Sequence, residues 1–415
     1  MSELHDLLKF AERPVGSGYL EKLRYYLSNG IPSTYTVEQL NNYLEGKEDD
    51  ECNGSNTTPL HVLAKHLPEN INDEEEKVIL EMMNTLFEYG AGWNFIDAED
   101  KTVGDHLIDR GYGIDSLFYR RLVEAGVSAE LLLRKVNENI EFLEEQEDDE
   151  EEEVLEEVKP EQAVAVNSDA TANEPEVFLS TELEYRENAL VTKDEQDGVM
   201  MDWEDEIMKM SAKSLLKTVN NSGDGDDNES KNVLNIGFGM GIIDGYIEEY
   251  RDEDTKHYIC EAHPDVLAKM KEDGWFDKKG VVVLTGRWQD ELNKIIDEGG
   301  IYFDGIYYDT FSEGYEDMIE LYDNIVGLLK PDGIFSFFNG LGGDRQLCYE
   351  VYKEIVSIDM KNYGMRCEYR VVPVGIKSEG NGDKGKGGIE EPNWQDIKRS
   401  YYNIPYYYHP EIQFM

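Results

Sequence analysis

Four short stretches carry residue types whose order could seat a nucleoside and react beside it. The first is Asn235-Ile-Gly237-Phe-Gly239-Met-Gly241, whose glycines let the backbone turn sharply and approach a ligand closely. It departs from the dinucleotide fingerprint, because Ile242 stands where the last glycine of Gly-x-Gly-x-x-Gly belongs. No Gly-Lys-Ser/Thr follows, which excludes a P-loop. The second is Glu261, twenty residues beyond Gly241, where a carboxylate can accept both hydroxyls of a ribose. The third, Gly286-Arg-Trp288-Gln289-Asp290, falls where an adenine would lie, and the fourth is Asp309, which closes FDGIYYD beside the reactive centre. Cys52, Cys260, Cys348 and Cys367 are far apart and form no Cys-x-x-Cys pair, so no metal site and no disulfide framework is expected.

These residues need elements to hold them. Apolar runs and amphipathic stretches alternate from about Val177 onward. Strands are expected at Val233–Ile236, His257–Glu261, Val281–Leu284, Asp304–Tyr308 and Ile334–Phe338, and helices at Ile242–Tyr250, Pro264–Lys271, Glu316–Leu329 and Arg345–Ile358. Tyr369–Val374 and Tyr401–Tyr408 would close the sheet as an antiparallel pair, and the tyrosines of the last run read as sheet packing rather than a substrate cage. Such alternation makes a doubly wound α/β fold with its ligand at the carboxyl ends of the strands. Glycine loop, ribose acid, adenine loop and strand-end acid follow one another as a class I methyltransferase requires, so a Rossmann-like, seven-stranded sheet is expected.

The first part is different. Residues 1–139 show helical periodicity, as in Leu60, Leu63 and Leu67, then Ile79, Met82, Met83 and Leu86. Thr58-Pro59-Leu60-His61 reads as the turn-then-helix opening of an ankyrin repeat, with His61 a structural hydrogen-bonder. The segment from Leu86 to Asn94 matches that repeat's helix exit, and Asp97–Gly111 a degenerate further repeat. An all-α ankyrin-like domain therefore precedes the α/β domain, serving as a protein-binding surface or a structural cap. Residues 140–176 form an acidic linker around EFLEEQEDDEEEEVLEE, and 177–415 the methyltransferase domain. Two polar loops, Asn220–Ser230 and Ser378–Gly388, read as surface insertions.

Charge narrows the partners. Lys+Arg number 39 and Asp+Glu 90, a formal charge of -51, which repels phosphate backbones and anionic lipid and attracts basic proteins. No direct nucleic-acid partner and no membrane partner are expected. The sequence has no long apolar span and no secretory stretch in its first twenty residues, so the reading is a cytoplasmic protein, with the nucleus left open.

Longer phrases carry a family resemblance. Val199-Met-Met-Asp-Trp203-Glu204-Asp-Glu-Ile-Met208, NIGFGMGIID, HYICEAHPDV, GRWQD, FDGIYYDTF and the run from Lys330 through FSFFNGLGGDRQ resemble guanidinoacetate methyltransferase. With the ankyrin-like front end, the chain resembles the fungal type IV protein arginine methyltransferases, which make N5-methylarginine. The resemblance runs from about Tyr185 to Arg370, and leaves the tail beyond Ile376 unmatched. It implies S-adenosylmethionine as cofactor. Phe238, Gly239, Met240, Gly241, Ile242 and Ile243 would then line its methionyl part, Glu261, Ala262 and His263 its ribose, and Trp288 and Gln289 its adenine. Tyr185 and Met208 would close over it. Asp309 would sit between cofactor and substrate, and Glu204 would be the second guanidinium ligand. Asp205 and Glu206 follow directly, so the sequence leaves open which of the three acids points inward. A large-subunit ribosomal protein is the implied substrate, and a monomer the expected state.

The chemistry agrees with paired acids. Methyl transfer from a sulfonium is an in-line displacement that needs proximity and alignment. A guanidinium with a pKa near ~13.8 would cost roughly 9 kcal/mol to deprotonate at neutral pH, so the proton is expected to leave as the bond forms. Two carboxylates can clamp the planar fork through charge-assisted bonds of ~1.5–3 kcal/mol each. If both grip the terminal nitrogens, the internal one faces the methyl group. Asp309 and Glu204 are the candidate orienting acids and proton acceptor. Methylation of a free guanidino compound, and a catalytically silent ankyrin scaffold, are the alternatives.

Overall fold

A computed structural model describes residues 3–45, 54–144, 172, 174–221, 230–375 and 388–415. Cys52, most of the acidic run, the centre of the 220–230 loop and the Gly-rich insert lie outside them. By internal contacts the chain divides into two units, Met1–Leu155 with Arg345–Ile355, and Glu156–Asp344 with Val356–Met415.

The second unit holds two sheets. A small antiparallel one, missed in the sequence, comprises β1 (Leu183–Tyr185), β2 (Ala189–Thr192) and β3 (Gly198–Met201). The large one has seven strands: β4 (Asn232–Ile236), β5 (Lys256–Glu261), β6 (Val281–Thr285), β7 (Phe303–Tyr308), β8 (Leu329–Phe337), β9 (Met365–Pro373) and β10 (Tyr406–Phe414), in the order β6-β5-β4-β7-β8-β10-β9. Strands β6 to β8 pair in parallel, and β10 is antiparallel to β8 and β9. Every residue of β4 and β7 is buried, which is why both read as mostly apolar rather than alternating, with the polar Asn232, Asn235 and Asp304 buried and hydrogen-bonded. The order reverses at β4, so the crevice at its carboxyl end is the topological switch point where such folds bind ligands.

Helices follow the strands nearly as the periodicity requires, at Ile242–Tyr250, Pro264–Glu272, Tyr315–Leu328 and Gln346–Asn362. An unanticipated one, Trp288–Glu298, starts within the adenine loop. The last strand corrects the expectation of Tyr401–Tyr408. Pro405 has no N–H to give a ladder, and β10 starts after it at Tyr406, in register with Pro373. Tyr401 and Tyr402 therefore lie outside the sheet.

The first unit is helical. Helices Pro59–Lys65, Asp73–Glu88, Val103–Asp109 and Leu117–Glu144 enclose Leu60, Leu63, Met82, Met83, Leu86, Leu107 and Phe118. Pro59 begins its helix behind the cap Thr58, whose hydroxyl is 2.8 Å from His61 Nδ1, while Nε2 of that ring lies 3.1 Å from the Phe95 carbonyl. Gly90 ends the next helix at φ +84°, where a side chain would be strained. The last helix runs from Leu117 to Glu144 and so extends into the start of the acidic run.

Candidate active site

Two cavities of the second unit meet at the carboxyl ends of β4 and β7. The first, with about 750 Å³ of empty volume, is lined by Gly237, Gly239, Glu261, Ala262, His263, Trp288 and Asp309, among others. The glycine turn makes this space. Gly237 has φ +92°, and a Cβ there would lie 1.9 Å from the Asp309 carbonyl oxygen. Asn235 fixes the turn from beneath. Its Nδ2 donates to the Gly237 carbonyl (2.8 Å) and to both oxygens of Asp244 (3.0 and 2.9 Å). Asp244 in turn is 3.0 Å from His257 Nε2, and Glu248 is 2.9 Å from its Nδ1. Burial alone would lower the His257 pKa, but the two carboxylates outweigh it and hold it raised.

Glu261 ends β5 fully packed, accepting bonds from the backbone N–H groups of Phe238 (2.9 Å), Ala262 (2.8 Å) and His263 (2.6 Å). Burial raises its pKa, and these donors oppose the rise. It thus ties the glycine turn to the next loop. The His263 ring has another task. Its Nδ1 accepts from the Asp265 N–H as a helix cap, and Nε2 faces the carbonyls of Phe178 and Thr181, both at 3.1 Å. That bond draws Phe178 and Leu179 onto the cavity wall, a contribution with no signal in the sequence.

Other expected cofactor residues stand behind the wall. Met208, Phe238 and Ile243 are buried in the hydrophobic core under the turn, beside Leu190 and Met200, with Met240 and Ile242 packed against them. Gly241 takes φ +69° to start the following helix. Tyr185 steadies the turn by donating to the Gly239 carbonyl at 3.0 Å. Trp288 donates its indole N–H to both oxygens of Glu313 at 3.0 Å, and Gln289 Nε2 lies 3.4 Å from the same carboxylate. Gln289 Oε1 is buried without a partner, and the residue is not among those that line the cavity. Glu313 went unrecognised in the sequence. It also accepts from Tyr308 (2.7 Å) and Thr310 (2.6 Å), so one carboxylate fastens the adenine side to the loop after Asp309.

The second cavity, about 1250 Å³, shares Val199, Asp309, Thr310, Phe311 and Glu313 with the first, and adds Glu204, Phe338, Arg399 and Tyr401. Asp309 faces both. Burial, and after it the charge of Asp244, pushes its carboxyl up to about 7. Of the three consecutive acids, Glu204 turns inward at 3% exposure. Asp205 is exposed and accepts from Tyr246, and Glu206 pairs with Lys209. The Glu204 pKa is raised well above the carboxylate range, first by burial and then by the charge of Asp309. Its Oε1 accepts from the Met201 N–H at 3.2 Å and from the Tyr401 hydroxyl. Two buried acids that resist joint ionisation suit a cationic ligand, whose charge would let both ionise. Among the described residues, no group of His, Cys, Asp and Glu could hold a metal ion, and no helix is long and apolar enough to cross a membrane.

A glycine turn, a buried acid, an aromatic and a second acid, at the ends of successive strands of a sheet with this order, define a class I methyltransferase. S-adenosylmethionine is the methyl donor of this class, and the glycine cradle, which a Cβ would fill, fits it. Residues 185–362 match the guanidinoacetate N-methyltransferase family. Over its whole length the chain is 54% identical to protein arginine N-methyltransferase 2 of Candida glabrata and 53% identical to that of Saccharomyces cerevisiae, with 100% of each chain covered. Among solved structures, spermidine synthase from Thermotoga maritima is similar over 56% of this chain and 71% of its own, at 13% identity and a TM-score of 0.35. The chain belongs to the protein arginine N-methyltransferase 2 family.

Proposed function

We propose that the chain monomethylates the internal, δ, guanidino nitrogen of arginine in a basic protein, a large-subunit ribosomal protein being the expected kind. The observation that carries this reading is the convergence of Glu204 and Asp309 on one cavity, with Asp309 shared by the cofactor cavity. When bound, S-adenosylmethionine supplies an electrophilic methyl group on sulfur. Gly237, Gly239, Glu261 and Trp288 line the cavity that would hold it: the glycines would give its aminoacyl end room, Glu261 would face the ribose, and Trp288, with Gln289 next to it in sequence, would border the adenine. Glu204 and Asp309 hold the terminal nitrogens of the guanidinium and leave the internal one forward. Asp309 receives the proton lost on alkylation. Its lifted pKa makes it a better acceptor near neutral pH than an ordinary carboxylate.

Arg399 favours a second reading. It lies on the wall of the same cavity, paired with Asp197 at 3.5 Å, and exchange of that partner for the carboxylate of a free guanidino acid is the alternative. Incubation with methyl-labelled cofactor and either a basic ribosomal-protein fraction or guanidinoacetate separates the two. Label in protein arginine is the expected result, and label in guanidinoacetate alone would overturn the proposal. The ankyrin-like reading of the first unit goes with protein recognition. Removing residues 1–157 is expected to weaken selection of a protein substrate more than cofactor affinity, whereas equal loss of both would favour a structural cap.

A further inference from the structure

We infer that Tyr401 is a positioning residue for the transfer, aiming Glu204 so that one of its two oxygens faces the substrate cavity. This rests on Glu204 being a guanidinium ligand, as proposed above. Tyr401 comes from a segment outside 185–362, the stretch matched by the guanidinoacetate family, and lies 197 residues from Glu204 in sequence.

Hydrogen-bond direction carries the argument. The indole N–H of Trp203 donates to the Tyr401 oxygen at 3.2 Å. A phenol has one hydrogen, and here it points at Glu204 Oε1. The Met201 N–H occupies the same oxygen at 3.2 Å. Both bonds therefore fall on Oε1, and Oε2 is the oxygen left for an N–H of the guanidinium. Tyr401 is itself fixed. Its ring meets Trp394 edge-on at 4.7 Å and Trp203 at 6.0 Å, and it lines the cavity together with Glu204 and Asp309.

A donor aimed at a carboxylate also favours the ionised form. That matters because the surroundings of Glu204 oppose ionisation. Asp309 faces it from the end of β7, Asp202 lies on its own turn, the phenols of Tyr307 and Tyr401 stand against it, and the Arg399–Asp197 ion pair lines the same cavity. Tyr401 thus does two things through Glu204: it selects the rotamer, and it lowers the pH at which the carboxylate becomes available.

Steady-state kinetics against pH on full-length Tyr401→Phe, Glu204→Gln and Tyr402→Phe test the inference. Tyr402 belongs to the same aromatic cluster, but its hydroxyl donates to the Tyr406 carbonyl at 2.7 Å, so it controls for packing. Tyr401→Phe is expected to lower kcat/KM about 10–100-fold at neutral pH, the scale of a lost bond to a charged group. It is also expected to move the acid limb of kcat/KM up by about one pH unit, with the S-adenosylmethionine Kd within about twofold. Tyr402→Phe should leave that limb in place. If Tyr401→Phe leaves the limb unmoved, or Tyr402→Phe shifts it equally, the inference falls. Trp203→Phe, which removes the donor behind Tyr401, should shift the limb in the same direction by less, and keeps the test decisive if Tyr401→Phe folds poorly. A wild-type rate in Glu204→Gln would instead bring down the underlying role of Glu204.

Discussion

At the residue scale the proposed chemistry rests on Glu204 and Asp309, two buried acids that are difficult to ionise together. The Asp309 carboxyl is lifted to about 7, chiefly by burial, so kcat/KM is expected to rise with pH through that region, as a pH series at saturating cofactor would read. Asp309→Asn should abolish transfer while calorimetry still detects S-adenosylmethionine. The same substitution should stabilise the free protein. A folded-state acid pKa raised above its unfolded value means the folded state holds the proton longer, so stability is lost as pH rises from about 4 to about 7. Asp309→Asn lacks that loss. It should gain up to about 4 kcal/mol at pH 8, with the gain fading as pH falls from about 7 and gone by about pH 4, as denaturant melts at several pH values would show. Glu204 shows the limit of residue-level reading. Three acids in a row are chemically alike, and only the turn between β3 and the next helix decides that Glu204 faces inward while Asp205 and Glu206 meet solvent-side partners.

At the element scale, most of the α/β half was legible because strands buried on both faces announce themselves as apolar runs and the helices between them keep their period. The glycine turn follows from that layout. Gly237→Ala would place a carbon 1.9 Å from the Asp309 carbonyl in a left-handed backbone, forcing the ends of β4 and β7 apart. A stability loss of about 2–4 kcal/mol and at least tenfold weaker cofactor binding are expected from thermal melts and calorimetry. Glu313 was not legible, because an acid in a loop acquires meaning only when Trp288, Tyr308 and Thr310 converge on it from three elements. Glu313→Leu should leave the Trp288 indole unpaired and weaken S-adenosylmethionine binding by roughly tenfold, with a smaller change in kcat. Unchanged affinity would show that the clasp does not shape the adenine side. Tyr401 escaped for a related reason. Its run of tyrosines has strand character, and the break at Pro405 that frees it for the site becomes meaningful only beside the ladder of β9 and β10.

At the scale of the whole molecule, charge and cavity act together. On the proposed reading, a net charge of -51 would draw a basic protein toward a site whose buried acids suit a cation. The KM for a basic protein substrate should therefore rise several-fold between about 50 and 300 mM salt, as screening shortens the reach of the field, while kcat changes little. A flat KM would remove long-range attraction from the account. The central claim is narrower: two carboxylates take the terminal nitrogens and leave the internal one in front of the sulfonium. Fragmentation mass spectrometry of a peptide modified by the purified chain locates the added methyl on the guanidino group. A methyl on the internal nitrogen is the predicted result, and a methyl on a terminal nitrogen would contradict it.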